Sequence, residues 1–346
     1  MPEKITFAPQ LIDTHCLIDV RTPLEFEEDH IPGAHNVPLL TNDERVEVGT
    51  IYKQVGPIEA RRRGLELTCS RFYGMVDRII SLSAGRPIVV YCWRGGLRSH
   101  SVAMLVETCG TPASQLVGGY KSFRNHVIDY FDTCEFPSPL IVMHGMTGTG
   151  KTEFINGLDP VQWATIDLEG IACHRGSAFG ALGLAQDFTQ KRFETLLWNA
   201  FRSLPVDRPI VLEGESQRIG TYSLPGRLYL KMAESRKVWC HASIETRIKR
   251  LTVEYARPEY REEMLEALER IRKKLGGPRY AELKSCLEGW DVEGIARGLI
   301  EGYYDKMYYK HRPWTPDLEL ELEDYRQAET GLEAFLGRTE QAVERS

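Results

Sequence analysis

Apolar residues fall along this chain in short runs, separated by longer stretches in which they recur every three or four positions. The runs Leu17-Ile18-Asp19-Val20, Pro87-Ile88-Val89-Val90-Tyr91, Leu140-Ile141-Val142-Met143, Trp163-Ala164-Thr165-Ile166-Asp167, Pro209-Ile210-Val211-Leu212-Glu213 and Lys237-Val238-Trp239-Cys240-His241-Ala242 read as strands. Between them the spacing predicts helices: one starting at Pro23, one through Phe72, Met75, Val76 and Ile79-Ile80, and one through Val102, Ala103, Leu105 and Val106. Others are expected over 188–204, with Phe193, Leu196, Leu197 and Phe201 on one side as core, over 245–255, and over 259–275. Strands alternating with helices predict α/β layers. Leu318-Glu319-Leu320-Glu321-Leu322 alternates as a half-exposed strand, and an acidic tail follows.

The stiff, donor-poor Phe136-Pro137-Ser138-Pro139 is the natural boundary. It predicts a first domain over 1–135, carrying an insertion at about 41–86, and a second over 136–346 with helical C-terminal additions. A length of 346 residues with 42% hydrophobic content supports two cores. The formal net charge of -6 argues against a generally cationic coat, so any RNA contact falls to local patches. The candidates are Arg61, Arg62 and Arg63, Lys273 and Lys274 at a helix end, and Tyr304 and Tyr308, which lie among basic residues. A solvated surface for the cations and a core position for the tyrosines are the competing readings.

The first ten residues lack a basic region followed by an apolar one, and no run is long enough to span a bilayer; a soluble cytoplasmic protein is expected, without a membrane partner. Eight cysteines read as reduced thiols. His15-Cys16, Cys173-His174 and Cys240-His241 are adjacent pairs, which does not suit zinc.

Gly145-Met146-Thr147-Gly148-Thr149-Gly150-Lys151-Thr152 fills every fixed position of G-x-x-x-x-G-K-[ST], between a predicted strand and a predicted helix. Its glycines let backbone N–H groups approach phosphate oxygens, Lys151 adds a mobile charge, and the Thr152 hydroxyl is placed for a magnesium ion. Open α/β sheets bind ligands beyond the carboxyl ends of their strands. The predicted wall is therefore Asp167, a long loop over 168–180 with His174, Arg175 and Ser177, and the pair Glu213 and Glu215 after the next strand. Spacing leaves open which of Asp167, Glu213 and Glu215 completes the magnesium shell. The later strand and helix resemble small P-loop kinases, which implies that Arg247 and Arg250 approach phosphates.

Cys92-Trp93-Arg94-Gly95-Gly96-Leu97-Arg98-Ser99 ends a strand and precedes a helix. Loop N–H groups, the helix N-terminus, Arg94 and Arg98 are groups that favour a thiolate, so Cys92 is the predicted nucleophile. Packing is the expected role of Cys109, Cys134 and Cys286. Together with Asp19-Val20-Arg21, Glu25-Phe26, His30-Ile31-Pro32-Gly33-Ala34 and Gly118-Gly119-Tyr120, this loop resembles a rhodanese domain. Cys92 and Arg98 enclose five residues, similar to rhodanese-like phosphatases, which implies room for a tetrahedral phosphate-type group.

The combination of these two parts resembles the tRNA 2-selenouridine synthase family. The resemblance implies a rhodanese-like domain with a central parallel sheet, followed by a P-loop NTPase-like α/β domain. It also implies exchange at the wobble uridine of tRNAs for lysine, glutamate and glutamine, in two stages. Geranyl diphosphate first alkylates the sulfur of 2-thiouridine, with magnesium and the P-loop holding the diphosphate; selenophosphate, from a supplying enzyme, then delivers selenium and the geranyl thiol leaves. The alternatives are a sulfurtransferase or phosphatase fused to a small-molecule P-loop kinase, and a nucleotide-sensing module.

Overall fold

The computed structural model describes the backbone of residues 1–133, 135–136, 138–310 and 314–343, and the side chains of these apart from 308–310 and 338–343. By internal packing the chain divides into Met1–Thr133 with Phe188–Arg202, and Cys134–Asp187 with Ser203–Ser346.

In the first unit, strands β1 (Glu3–Ile5), β2 (Cys16–Asp19), β3 (His35–Asn36), β4 (Ile88–Tyr91) and β5 (Ala113–Leu116) form one sheet in the order β1-β5-β4-β2-β3. All its pairs are parallel. Every residue of β2 and β4 is buried, as expected of central strands covered on both faces. Helix Pro23–Glu28 starts where Thr22 and Glu25 form a reciprocal capping box. The insertion is mixed in character: helix Phe72–Ser83 sends Met75, Val76 and Ile79 into the core, whereas helix Asn42–Gln54 buries no residue.

The helix expected over 188–204 forms as Gln190–Arg202, and its Phe193, Leu197, Trp198 and Phe201 are buried. They are buried in the first unit, against the expectation of a single boundary near residue 135. Trp198 meets Phe123 edge-on at 5.4 Å and His126 at 5.5 Å, and Arg202 pairs with Asp13 at 3.0 Å. Helical periodicity reports that an apolar face exists; it carries no information about which core receives it.

In the second unit, β6 (Leu140–Gly145), β7 (Ala164–Ile166), β8 (Ile210–Glu213), β11 (Arg236–His241) and β12 (Leu318–Glu321) form a parallel sheet in the order β12-β11-β6-β8-β7. Strands β9 (Arg218–Ile219) and β10 (Tyr222–Ser223) make a small antiparallel pair. Helices Arg261–Leu275, Gly277–Glu288 and Val292–Leu299 pack around Met264, Leu268, Ile271, Leu283, Leu287 and Ile295. Tyr304 belongs to this core, buried beside Tyr303. The segment read as an acidic tail is helix Tyr325–Val343, with Ala328 and Leu332 buried against Leu320 of β12. Among the described residues no helix is long and apolar enough to cross a membrane.

Candidate active site

The loop after β6 turns through Gly148 at φ +79° and Gly150 at φ +84°, and helix Lys151–Gly157 follows. The buried Thr149 hydroxyl donates to Met146 O at 2.9 Å. Lys151 Nζ lies over the loop, 3.2 Å from Gly145 O and 3.5 Å from Met146 O. Arg247, 2% exposed, donates from Nε to Thr147 O at 2.9 Å and reaches both Asp305 oxygens at 2.6 and 3.0 Å. Arg250 donates to Thr149 O at 2.6 Å and Leu322 O at 2.7 Å. These two arginines, expected to approach phosphates, bind the carbonyl oxygens of the loop, and Arg250 also lines the cleft beside it.

The predicted loop over 168–180 begins as a short helix, Leu168–Ile171, because the Asp167 carboxylate caps it by accepting from Gly170 N–H at 2.6 Å. The other Asp167 oxygen accepts from Asn156 Nδ2 at 2.8 Å. That helix presents a residue the spacing argument did not single out: Glu169, whose Oε2 accepts the Thr152 hydroxyl at 3.2 Å. A Cβ on Gly176 would lie 2.7 Å from Glu215 and 2.8 Å from Glu169, so both carboxyls crowd the same glycine. Burial, then the Glu215 charge, pushes Glu169 up to about 9. The legible signal for Glu169 was a helix cap at Asp167 followed two residues later by an acid.

Glu213 is fully buried, and burial with the Asp167 charge pushes it up to about 8. Its Oε2 accepts Leu168 N–H at 2.7 Å, and its Oε1 has no hydrogen-bond partner. The Thr152 hydroxyl with Glu169 and Glu215 is an all-oxygen donor set, the kind magnesium takes. Among the described residues no group of three or more His, Cys, Asp or Glu could hold a metal by itself. Magnesium usually keeps several waters and phosphate oxygens, so one or two carboxylates suffice. The raised Glu213 value sets a sign for pH dependence. A folded value above the ordinary 4.5 gives stability that is complete below pH 4.5 and lost as pH rises through about 8. Glu213→Gln should therefore unfold at higher temperature than wild type above pH 8, with the difference vanishing toward pH 4.5. Thermal melts across that range, showing no gain at high pH, would remove the account of Glu213 as a desolvated acid.

A cleft of about 960 Å³ is lined by Lys151, Thr152, Glu169, Arg175, Glu215 and Arg250, with Asp167 and Ser177 also on its wall. His174 is turned into the wall itself, its Nδ1 accepting Gly176 N–H at 3.1 Å, and burial keeps its ring below its usual range. Arg175 pairs with Glu254 and lies over the Tyr255 ring. The Ser177 hydroxyl accepts Phe179 N–H at 3.2 Å. A narrow apolar pocket of about 40 Å³, lined by Phe179, Met264, Ile295, Leu299 and Tyr304, shares Thr147, Ser177, Leu251 and Tyr255 with the cleft.

In the first unit, Cys92 follows β4 and is 3% exposed. Its Sγ accepts Gly96 N–H at 3.3 Å and lies 3.2 Å from Ser99 Oγ. Gln115 of β5 braces the turn, with Nε2 2.8 Å from Gly95 O and 3.0 Å from both Gly96 O and Ser99 Oγ. Arg98 is half-buried and donates to Glu25 at 2.9 Å. Burial alone would raise the Glu25 carboxyl, but the Arg98 bond outweighs it and leaves it below the usual range. Arg94 is exposed. The sulfur is thus held by a loop N–H and a hydroxyl, while Arg98 is engaged by Glu25.

Gly119, at φ +59°, passes so close that a Cβ would run into the Cys92 carbonyl oxygen. Gly119→Ala should destabilise this unit by about 1–3 kcal/mol and abolish the chemistry of its loop. Denaturant unfolding of the variant checks it, and unchanged stability would contradict the close approach.

Of the other predicted residues, Arg61 and Arg62 are exposed on helix Pro57–Thr68, whereas Arg63 is held by Glu47 and Glu66 at 2.6 and 2.9 Å. Lys273 and Lys274 are exposed at the end of helix Arg261–Leu275. Burial of Tyr304 removes it as a base-stacking platform, and the Tyr308 side chain lies outside the described residues. Cys109, expected to pack, is exposed, and Cys134 also lies outside the described residues.

A cysteine loop at the end of a parallel-sheet strand, and a phosphate loop with its acids at the ends of strands in a second parallel sheet, define a rhodanese-like domain fused to a P-loop domain. Residues 7–126 match the family model "Rhodanese-like domain", and residues 138–317 match "tRNA 2-selenouridine synthase AAA domain". Relatives named tRNA 2-selenouridine synthase include one from Pseudomonas syringae pv. syringae, 34% identical over 86% of this chain and 88% of its own. Others come from Shewanella loihica, 33% identical over 86% and 87%, and Cupriavidus necator, 32% identical over 89% and 91%. The chain belongs to the tRNA 2-selenouridine synthase family.

Proposed function

We propose that this protein converts 2-thiouridine to 2-selenouridine at the wobble position of tRNAs for lysine, glutamate and glutamine, by way of S-geranyl-2-thiouridine. In the first stage the uridine sulfur attacks C1 of geranyl diphosphate, the C–O bond breaks, and diphosphate departs. In the second, the P–Se bond of selenophosphate breaks and its phosphoryl group ends on water as phosphate, while selenium forms a bond to C2 of the uridine and geranyl thiol leaves with the electron pair of the C–S bond. Alkylating the sulfur turns a poor leaving group into a better one.

The observation that carries the first stage is the apolar pocket sharing Thr147 and Ser177 with the phosphate cleft. A diphosphate with a hydrocarbon tail needs those two surfaces side by side. Met264 is an adaptable side chain in the lining of the apolar pocket. Lys151 and the loop N–H groups would hold the diphosphate. Magnesium, bound through the Thr152 hydroxyl with Glu169 and Glu215, would offset the charge that builds on the leaving oxygen. For the second stage Cys92 is the candidate nucleophile, in a loop whose Gly96 N–H donates to its sulfur: the thiol would take the phosphoryl group of selenophosphate, the P–Se bond would break, and hydrogen selenide would leave for C2. An exposed Arg94, and an Arg98 held by Glu25, are the cations nearest in sequence for an incoming selenophosphate.

Mass spectrometry of nucleosides from 2-thiouridine tRNA, incubated with the protein and both donors and then with each omitted, tests this reading. It requires 2-selenouridine with both donors, and S-geranyl-2-thiouridine when selenophosphate is left out. Unchanged tRNA with folded protein, together with ATP turnover, would put a kinase fusion in its place.

A further inference from the structure

By sequence, helix Gln190–Arg202 falls inside the segment that matches the second family model, 138–317; by packing it belongs to the unit that carries Cys92. It brings Thr195 to Asp29, a fully buried carboxylate beyond helix Pro23–Glu28. Asp29 Oδ2 accepts the Thr195 hydroxyl at 2.8 Å and the Tyr120 hydroxyl at 2.7 Å. Its Oδ1 has no hydrogen-bond partner, and Arg192 of the same helix stands 3.7 Å away. Thr195 and Arg192 of this helix, with Tyr120 and the charge of Arg124, are the groups acting on this carboxylate, so two of the four come from one helix, and a buried charge is strongly sensitive to the loss of any of them.

The other end of Tyr120 reaches the cysteine loop. Its N–H donates to Cys92 O at 2.8 Å, directly after Gly119, which leaves no room for adjustment at that peptide. Its ring lies under the Arg21 guanidinium at 4.0 Å, and Arg21 donates to Asp29 O at 2.7 Å and is bound by Asp19. Tyr120 is thus clamped at its hydroxyl by Asp29, at its face by Arg21 and at its amide by the residue that carries the thiol. Lys191 of the helix also lies over the ring of Trp93, the neighbour of Cys92, at 6.0 Å.

We infer that Thr195 and Asp29 are positioning residues for Cys92: the helix, through Asp29 and Tyr120, sets the geometry of a cysteine loop whose own family segment, 7–126, does not contain it. This rests on the reading of Cys92 as a reactive thiol.

The test uses the full-length protein and follows alkylation of Cys92 by iodoacetamide across pH, resolved by peptide mass spectrometry from the other seven cysteines. Thr195→Val should change the Cys92 rate by roughly tenfold or more and displace its pH profile. Thr195→Ser should restore both, and the exposed Cys69 should react as in wild type throughout. Tyr120→Phe, which removes the other hydroxyl from Asp29, should act in the same direction and keeps the test valid if the valine variant fails to fold. A Cys92 rate and profile equal to wild type in folded Thr195→Val and Tyr120→Phe proteins would overturn the inference. A wild-type Cys92 that does not react at all would instead overturn its role as the reactive thiol, and the inference with it.

Discussion

Cys92→Ala protein is expected to geranylate 2-thiouridine tRNA at close to the wild-type rate and to stop there, with selenation falling by about three orders of magnitude or more. The division follows from where the groups stand. The sulfur is held by Gly96 N–H and Ser99 in a loop braced by Gln115, and none of these lies in the unit that carries the phosphate loop. Removing one sulfur atom from a buried, well-braced turn leaves the fold intact, so a lost second stage would report chemistry rather than unfolding. Nucleoside mass spectrometry should show S-geranyl-2-thiouridine accumulating, and labelled phosphate carried on Cys92 of wild-type protein should be absent from the variant. Selenation at more than a few per cent of the wild-type rate would assign selenium delivery to direct attack by selenophosphate, with Cys92 reduced to shaping the loop.

Lys151→Ala should do the reverse, lowering geranyl transfer by roughly 100- to 1,000-fold, the usual effect of removing one preorganised charge from a departing oxyanion. Lys151 lies against the carbonyls of Gly145 and Met146, so it is already in place above the loop before any anion arrives. Its ammonium also favours ionisation of the neighbouring Glu169, against burial and the Glu215 charge. The alanine variant should therefore hold Glu169 protonated to still higher pH and need more magnesium. Given pre-formed S-geranyl tRNA, it should still carry out the second stage at the wild-type rate. Loss of both stages would mean that the phosphate loop serves the whole reaction, and unaltered geranyl transfer would remove the diphosphate from this loop.

Local chemistry was legible in the chain. The phosphate loop, the cysteine loop and the strands that present them announce themselves because a tight turn needs glycine and a buried strand needs an unbroken apolar run, both properties of neighbouring residues. Glu213 and Glu215 could be named for the same reason, as acids at a strand end. What a side chain faces is a different matter. Arg247 and Arg250 look the same in sequence whether they bind phosphate or backbone carbonyl; only the fold brings Thr147 O and Thr149 O within reach of them. Tyr304 opens a segment that mixes aromatic and basic residues, as a base-stacking surface would, yet it fills a core built by helices that lie before it in the chain.

The sequence by itself determined that the chain has two α/β parts, one with a thiol and one with a phosphate loop, because those signals are carried by spacing within a few residues. Only the tertiary structure decided that Glu169 stands at Thr152, that an apolar pocket adjoins the phosphate cleft, and that residues 188–202 are built into the cysteine unit. Each of these depends on contacts between segments far apart in the chain, set by the order of strands in a sheet and by which core can receive an apolar helix face. Periodicity along a single segment is blind to both.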